Sequence, residues 1–321
     1  MKTLKIFCTV TLLLLNSAFA ADAVAPSQDG SVYRMEGIDY KYTKPKAFDF
    51  LTRIPKDGWK FLDNSFSSEY LGAWGIIAVS TGILIVYDQQ ITNQFQRFGR
   101  FTHLGNHENT VATLRVGGSA LLRRPSDVGS LFYFFGDGWV TLGLAAGFLG
   151  TGYISNDTRE MQVASQLVQG LLTTGIVTQL IKRTTGRESP IKATKSGGRW
   201  RFFPKTSDFQ NNISAYDAFP SGHLAATMTA FTIISQNYSE YTWIKPVGYT
   251  MMTLLGYQMV NNSVHWISDY PLALGIGYMI GKTIVNNSRE KLSNDPNQIH
   301  SYFTPLLDPG GKMGVAWILD Y

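Results

Sequence analysis

Six uncharged stretches organise the chain, at 70–87, 138–156, 161–181, 218–239, 246–268 and 270–281. They are rich in Leu, Ile, Ala, Gly, Thr and Met, and their lengths suit helices better than strands. The pattern predicts an all-α fold: a bundle of about six core helices over 70–286, with a long insertion at 88–137. Before it, residues 21–69 are polar and aromatic, and Gly37, Pro45, Pro55 and Gly58 break any long period. That composition predicts an extended or short-helical N-terminal arm. After it, 287–321 reads as a tail ending in a short β-hairpin, with a turn at Asp308-Pro-Gly-Gly311. Pro305 confines the first strand of that hairpin to an edge.

The first twenty residues have a different pattern. Lys2 and Lys5 precede an apolar run from Ile6 to Leu15, and Ala18-Phe19-Ala20 forms a small-x-small site. This is the pattern of a cleaved secretory signal peptide. The run is too short to span a bilayer, which takes about twenty apolar residues. Cys8, the sole cysteine, lies inside it. An exported mature chain would then hold no disulfide and would stand on its core alone.

Mean hydropathy is −0.04 over the 321 residues, low for a chain with six spans, and the stretches carry Gln, Asn, Thr and Ser. Parity adds a second argument. Behind a cleaved signal, the third and fifth stretches would end on the cytoplasmic side, at Lys182 and near His265. The expectation is an exported protein of the periplasm or cell envelope, folded around its helices and in contact with a membrane surface, with helices that span the membrane as the alternative.

Charge narrows the choice of partner. The formal charge of +5 falls to +3 once Lys2 and Lys5 are removed. No basic stripe interleaved with aromatics points to nucleic acid. The excess collects between Lys182 and Lys205, where Arg183, Arg187, Lys192, Lys195, Arg199 and Arg201 lie. Such a cluster suits an anionic substrate, a phosphorylated small molecule or a lipid headgroup.

Three segments carry the candidate chemistry: Lys182-Arg-Thr-Thr-Gly186-Arg187-Glu-Ser189-Pro190, then Pro220-Ser221-Gly222-His223, then His265-Trp-Ile-Ser-Asp269. Ser221 is a natural N-cap, and the helix start behind it is an anion site by its free N–H groups and its dipole. Gly222 lets backbone approach the anion. His223, in the first turn, is placed to donate a proton to a leaving oxygen. His265 and Asp269 share one face if helical, so the carboxylate fixes the ring tautomer and frees the other nitrogen as a nucleophile. Lys182 ends a helix, where a cation complements the dipole and reaches a phosphate oxygen.

In order and spacing these segments resemble the signature of the type-2 phosphatidic acid phosphatase superfamily, K-x6-R-P, P-S-G-H and S-R-x5-H-x3-D. That superfamily includes bacterial acid phosphatases and vanadium haloperoxidases. The resemblance implies an acid phosphatase/haloperoxidase-like helical domain. It implies that His265 forms a phosphohistidine, Asp269 orients it and His223 protonates the leaving group. Lys182, Ser221 and Gly222 would bind phosphate oxygens. Two positions depart from the pattern. The first-motif Arg falls at Ser189, and the third-motif Ser-Arg falls at Gln258-Met259. Bidentate arginines are the strongest phosphate clamps, so Arg187, Arg199 and Arg201 are the expected replacements, with Arg183 also within reach.

His103 and His107, with Glu108 beside them, have a spacing that suits two metal ligands on a helix, but Gly105-Asn106 between them indicates a loop. No metal and no cofactor is expected. The leading reading is a metal-independent phosphatase of phosphate monoesters or lipid phosphates and pyrophosphates. The alternatives are a vanadate-dependent haloperoxidase, with vanadate as cofactor, and a non-catalytic phosphate or lipid-headgroup binder.

Overall fold

The computed structural model describes residues 30–292, apart from 107, 108 and 118, and two strands at 300–307 and 313–320. The signal peptide expected over 1–20, the turn at 308–311, and His107 and Glu108 lie outside the described residues. The chain divides into a large unit, Lys44–Arg289, and a small one made of its two ends.

The large unit is helical. Its helices are α1 (Asp49–Thr52), α2 (Ile54–Ser65), α3 (Ser68–Phe101), α4 (Val128–Phe134), α5 (Gly138–Ser155), α6 (Thr158–Thr185), α7 (Thr206–Asn211), α8 (Gly222–Asn237), α9 (Ile244–Asn261) and α10 (Tyr270–Ser288). Six of them, α3, α5, α6, α8, α9 and α10, grow from the six uncharged stretches. Caps fix where they start. Asp137 accepts the Trp139 N–H at 2.9 Å, and Asp157 accepts the Arg159 N–H at 2.8 Å. Each bond satisfies a donor that the helix itself leaves open.

One boundary differs from the sequence reading. The helix expected to stop at 87 continues to Phe101. Asp88, one residue past the expected end, is fully buried. The rest of the expected insertion holds a strand pair, Thr110–Val116 with Ser119–Pro125, and the short helix α4. A second boundary also moved. The stretch ending at 268 turns at Asn262 and at Ser263, whose φ of 59° is left-handed. A short 3₁₀ turn, Ile267–Asp269, then leads into α10.

Helix α8 sits between α6 and α10. A Cβ on Gly277 or on Gly281 would come within 2.7 Å of the Cβ of Met228 or Thr232. Only glycines allow α10 to lie that close. On the α6 side, the buried hydroxyls of Thr174 and Thr229 meet at 2.8 Å. Beneath the site, Tyr133, Leu224, Ala225, Met252, Leu255, Met259, Val260, Tyr270 and Ala273 form one apolar cluster. It ties the starts of α8 and α10 to α4 and α9.

Helix α3 carries much of its apolar surface outward, with Ile76 72% and Val86 77% exposed. Its best 18-residue window has a hydropathy of 1.7, and none of it is buried. Among the described residues this is one helix long and apolar enough to cross a membrane. The pair α4 and α5, bent by 66°, passes the same test only if counted as one span.

In the small unit, Ser31–Met35 and Ile38–Tyr42 pair antiparallel, and Glu290–Lys291 adds a short third strand. The C-terminal hairpin is present. His300–Leu307 pairs with Met313–Asp320, and Pro305 lies opposite Val315. A two-stranded sheet has only edges, which is where a strand proline fits.

Candidate active site

Lys182 lies in the last turn of α6, which ends at Gly186 in the left-handed conformation (φ 54°). A Cβ on Gly186 would overlap the backbone of Arg201, so only glycine permits this close turn. The Lys182 ammonium is buried and stands 3.6 Å from an Asp217 carboxylate oxygen. A Cβ on Gly222 would be 3.6 Å from the same nitrogen. The structure therefore brings the cation to the start of α8.

Ser221 caps that start and accepts the Leu224 N–H at 3.4 Å. The N–H groups of Gly222 and His223, one turn too early for a carbonyl of their own helix, remain for an anion. The Ser221 backbone N–H donates to the Asp269 carbonyl at 3.2 Å, which ties this helix start to the third motif.

His265 is buried. Its Nδ1 is 2.8 Å from the Ala218 carbonyl and 3.3 Å from Asp269 Oδ2. Both neighbours accept, so Nδ1 carries the proton and Nε2 keeps its lone pair. The backbone carbonyl is the nearer partner, a feature no side-chain motif indicates. The two residues do not share a regular helix. Asp269 comes back to His265 through the 3₁₀ turn, where it also accepts the Trp266 N–H at 2.8 Å.

His223 stands beside Tyr133, with ring centroids 5.0 Å apart, and its Cβ closely approaches Gly136. Its pKa is pushed down to about 3 by burial and then by the nearby His265 and Lys182. The three charge-bearing groups of the motifs are therefore neighbours, and the imidazole of His223 is neutral when no anion is present. Tyr133 and Gly136, from the region read as an insertion, were not singled out from sequence. No local pattern marks a residue that matters only through what it packs against.

The arginines are placed differently from one another. Arg187 is fully buried. Its Nη1 donates to Asp269 Oδ1 at 2.5 Å and to Ser268 Oγ at 2.7 Å. Its Nη2 donates to Asp88 Oδ2 at 2.5 Å and to the Gly197 carbonyl at 2.9 Å. The face of its guanidinium stacks on Trp200, 4.8 Å from the ring centre. Both terminal nitrogens are thus engaged by protein groups. Arg201 pairs with Glu188 and donates to the Ala215 carbonyl at 3.1 Å. Arg199 holds Glu188 through its backbone N–H at 2.9 Å, and its side chain is exposed. Arg183 stacks on Phe209 at 4.6 Å.

Glu188 organises this segment. Burial raises its pKa, but the N–H groups of Thr194 and Arg199, the Thr194 hydroxyl and Arg201 outweigh that and hold it below the usual carboxylate range. At the two positions that depart from the motif, no cation is supplied. Ser189 is buried and donates its N–H to the Ser214 carbonyl. Met259 is fully buried, with its sulfur 3.6 Å from Ser221 Oγ. Of the metal candidate, only His103 is described, just past the end of α3 with φ 55°.

A helical bundle that brings together a cation, an open helix start and two neighbouring imidazoles can hold an oxyanion. The sequence model of the PAP2 superfamily matches residues 164–292. That is the superfamily whose signature the three segments resemble. The match supports phosphatase- or haloperoxidase-type activity in general. No curated protein and no solved structure matches the chain.

Proposed function

We propose that the protein is a metal-independent phosphatase that hydrolyses phosphate monoesters or lipid phosphates through a phosphohistidine on His265. One observation carries this reading: Nδ1 of His265 is committed to Ala218 and Asp269, which leaves Nε2 as the nucleophile. In the first step the Nε2 lone pair forms a bond to phosphorus, and the bond from phosphorus to the leaving oxygen breaks. His223 gives that oxygen its proton. In the second step water attacks phosphorus, His223 takes the water's proton, and the P–N bond breaks.

His223 is neutral at rest, so it must be charged by the substrate itself. An anion seated between Lys182 and His223 offsets the repulsion that depresses the imidazole and favours the protonated form. Lys182 and the N–H groups at the start of α8 hold the phosphate oxygens, where preorganised donors act most strongly on the transition state. Asp269 stabilises the imidazolium character that grows on His265 as the bond forms.

The test is rapid quench of the purified protein with labelled substrate. An acid-labile, base-stable phosphoenzyme is expected, and His265→Ala should abolish both it and turnover while the fold persists. Full turnover in the Ala variant would refute the assignment.

A further inference from the structure

We propose that Asp88 is a positioning residue for the phosphohistidine step: it takes up the charge of Arg187 so that Asp269 keeps its own for His265. The proposal rests on the reading of His265 as nucleophile. Asp88 lies on α3, outside the stretch that matches the PAP2 superfamily.

Both carboxylate oxygens of Asp88 are engaged. Asp88 Oδ2 accepts from Arg187 Nη2 at 2.5 Å and from Ser268 Oγ at 2.6 Å, and Oδ1 accepts from the Ser268 N–H at 3.1 Å. Asp88, Arg187 and Asp269 have no exposed side-chain surface. The Ser268 hydroxyl accepts from Arg187 Nη1 and donates to Asp88, so it hands the interaction from one carboxylate to the other. A carboxylate on an otherwise apolar helix is costly unless it is paired and fully hydrogen-bonded. Here it is both.

Charge counting gives the mechanism. One guanidinium faces two carboxylates, so the cluster carries one negative charge in excess. The remaining partner is His265, which becomes cationic as its Nε2 bonds to phosphorus. Without Asp88, the guanidinium would neutralise Asp269 alone. Asp269 would then be a weaker acceptor for His265 Nδ1–H, and the imidazolium would lose its counter-charge. Arg187 therefore serves orientation: it holds Asp269 Oδ1, which turns Oδ2 to the imidazole and to the Trp266 N–H.

The experiment is a double-mutant cycle on turnover, with Asp88→Asn made in the wild type and in Asp269→Asn. In the wild type, Asp88→Asn should lower kcat by about 10–100-fold, the range typical of outer hydrogen-bond partners, with KM little changed. In the Asp269→Asn background the same substitution should change kcat less than about threefold, because residues that act through one another are not additive. A merely structural role would give the same loss in both backgrounds, and that result would overturn the proposal. If Asp88→Asn does not fold, Ser268→Ala interrupts the same relay and is read in the same two backgrounds. An active wild type whose kcat is unmoved by Asp88→Asn would overturn this proposal alone. A wild type without turnover, or an active His265→Ala, would overturn the phosphatase reading and this proposal with it.

Discussion

Replacing Arg187 with Met separates the phosphate-clamping role expected from sequence from the carboxylate pairing seen in the structure. If Arg187 were a phosphate ligand, its loss would raise KM and spare the fold. Its position against Asp88 and Asp269, each 2.5 Å from a guanidinium nitrogen and fully buried, implies the reverse. Met fills similar volume but leaves two carboxylates with no counter-charge. Asp88 keeps two donors from Ser268, and Asp269 keeps the Trp266 N–H. One of the pair stays ionised, and the other escapes by taking a proton. From an ordinary Asp pKa of about 3.9, protonation at pH 7 costs about 4 kcal/mol, and at pH 5 about 1.5 kcal/mol. The former is the size expected for breaking a buried ion pair, about 3–5 kcal/mol. In a unit of this size it corresponds to roughly 8–16 °C in Tm. The sign follows from linkage: burial already holds the Asp88 carboxyl above its ordinary value, and without the guanidinium its folded-state pKa rises further. Its penalty is then absent in acid and grows as pH rises towards that pKa and beyond. The gap between variant and wild type should therefore be widest at neutral pH and narrow towards pH 5. The titration of His223 is common to both chains and cancels. Thermal or urea denaturation of the two proteins at both pH values reads the difference. A variant as stable as the wild type at pH 7, with a KM raised tenfold or more, would refute the placement of Arg187.

Two further outcomes are expected. With His223 held near 3 in the empty pocket, binding of inorganic phosphate at pH 6 should draw in a proton. Calorimetry in buffers of different ionisation enthalpy should detect this uptake, reduced in His223→Asn; equal uptake in the two proteins would refute the linkage. The uncovered apolar window of α3 should hold the expressed protein in the membrane fraction through a high-salt wash, with release only by detergent; recovery in the soluble fraction without detergent would refute that.

Much of this protein was legible in the order of its residues. The existence of the six core helices and the Ser221 cap depend on neighbours within a turn, so local pattern marked them, although two helix ends moved. The spacing of Lys182, Ser221, Gly222, His223, His265 and Asp269 marked the site for the same reason. The mean hydropathy did not show that the apolar face of α3 stays uncovered, because burial is decided by packing and not by composition. The tertiary structure alone decided which arginine meets which carboxylate. Asp88 and Arg187 are 99 residues apart, and an aspartate at the end of an apolar run looks like a solvated helix end until the fold buries it. The same holds for the Ala218 carbonyl that takes the nearer bond from His265, and for Met259 against Ser221. Charge identity is written locally, whereas charge pairing depends on which helices the core brings together, and a buried charge is tolerable only where that packing supplies its partner.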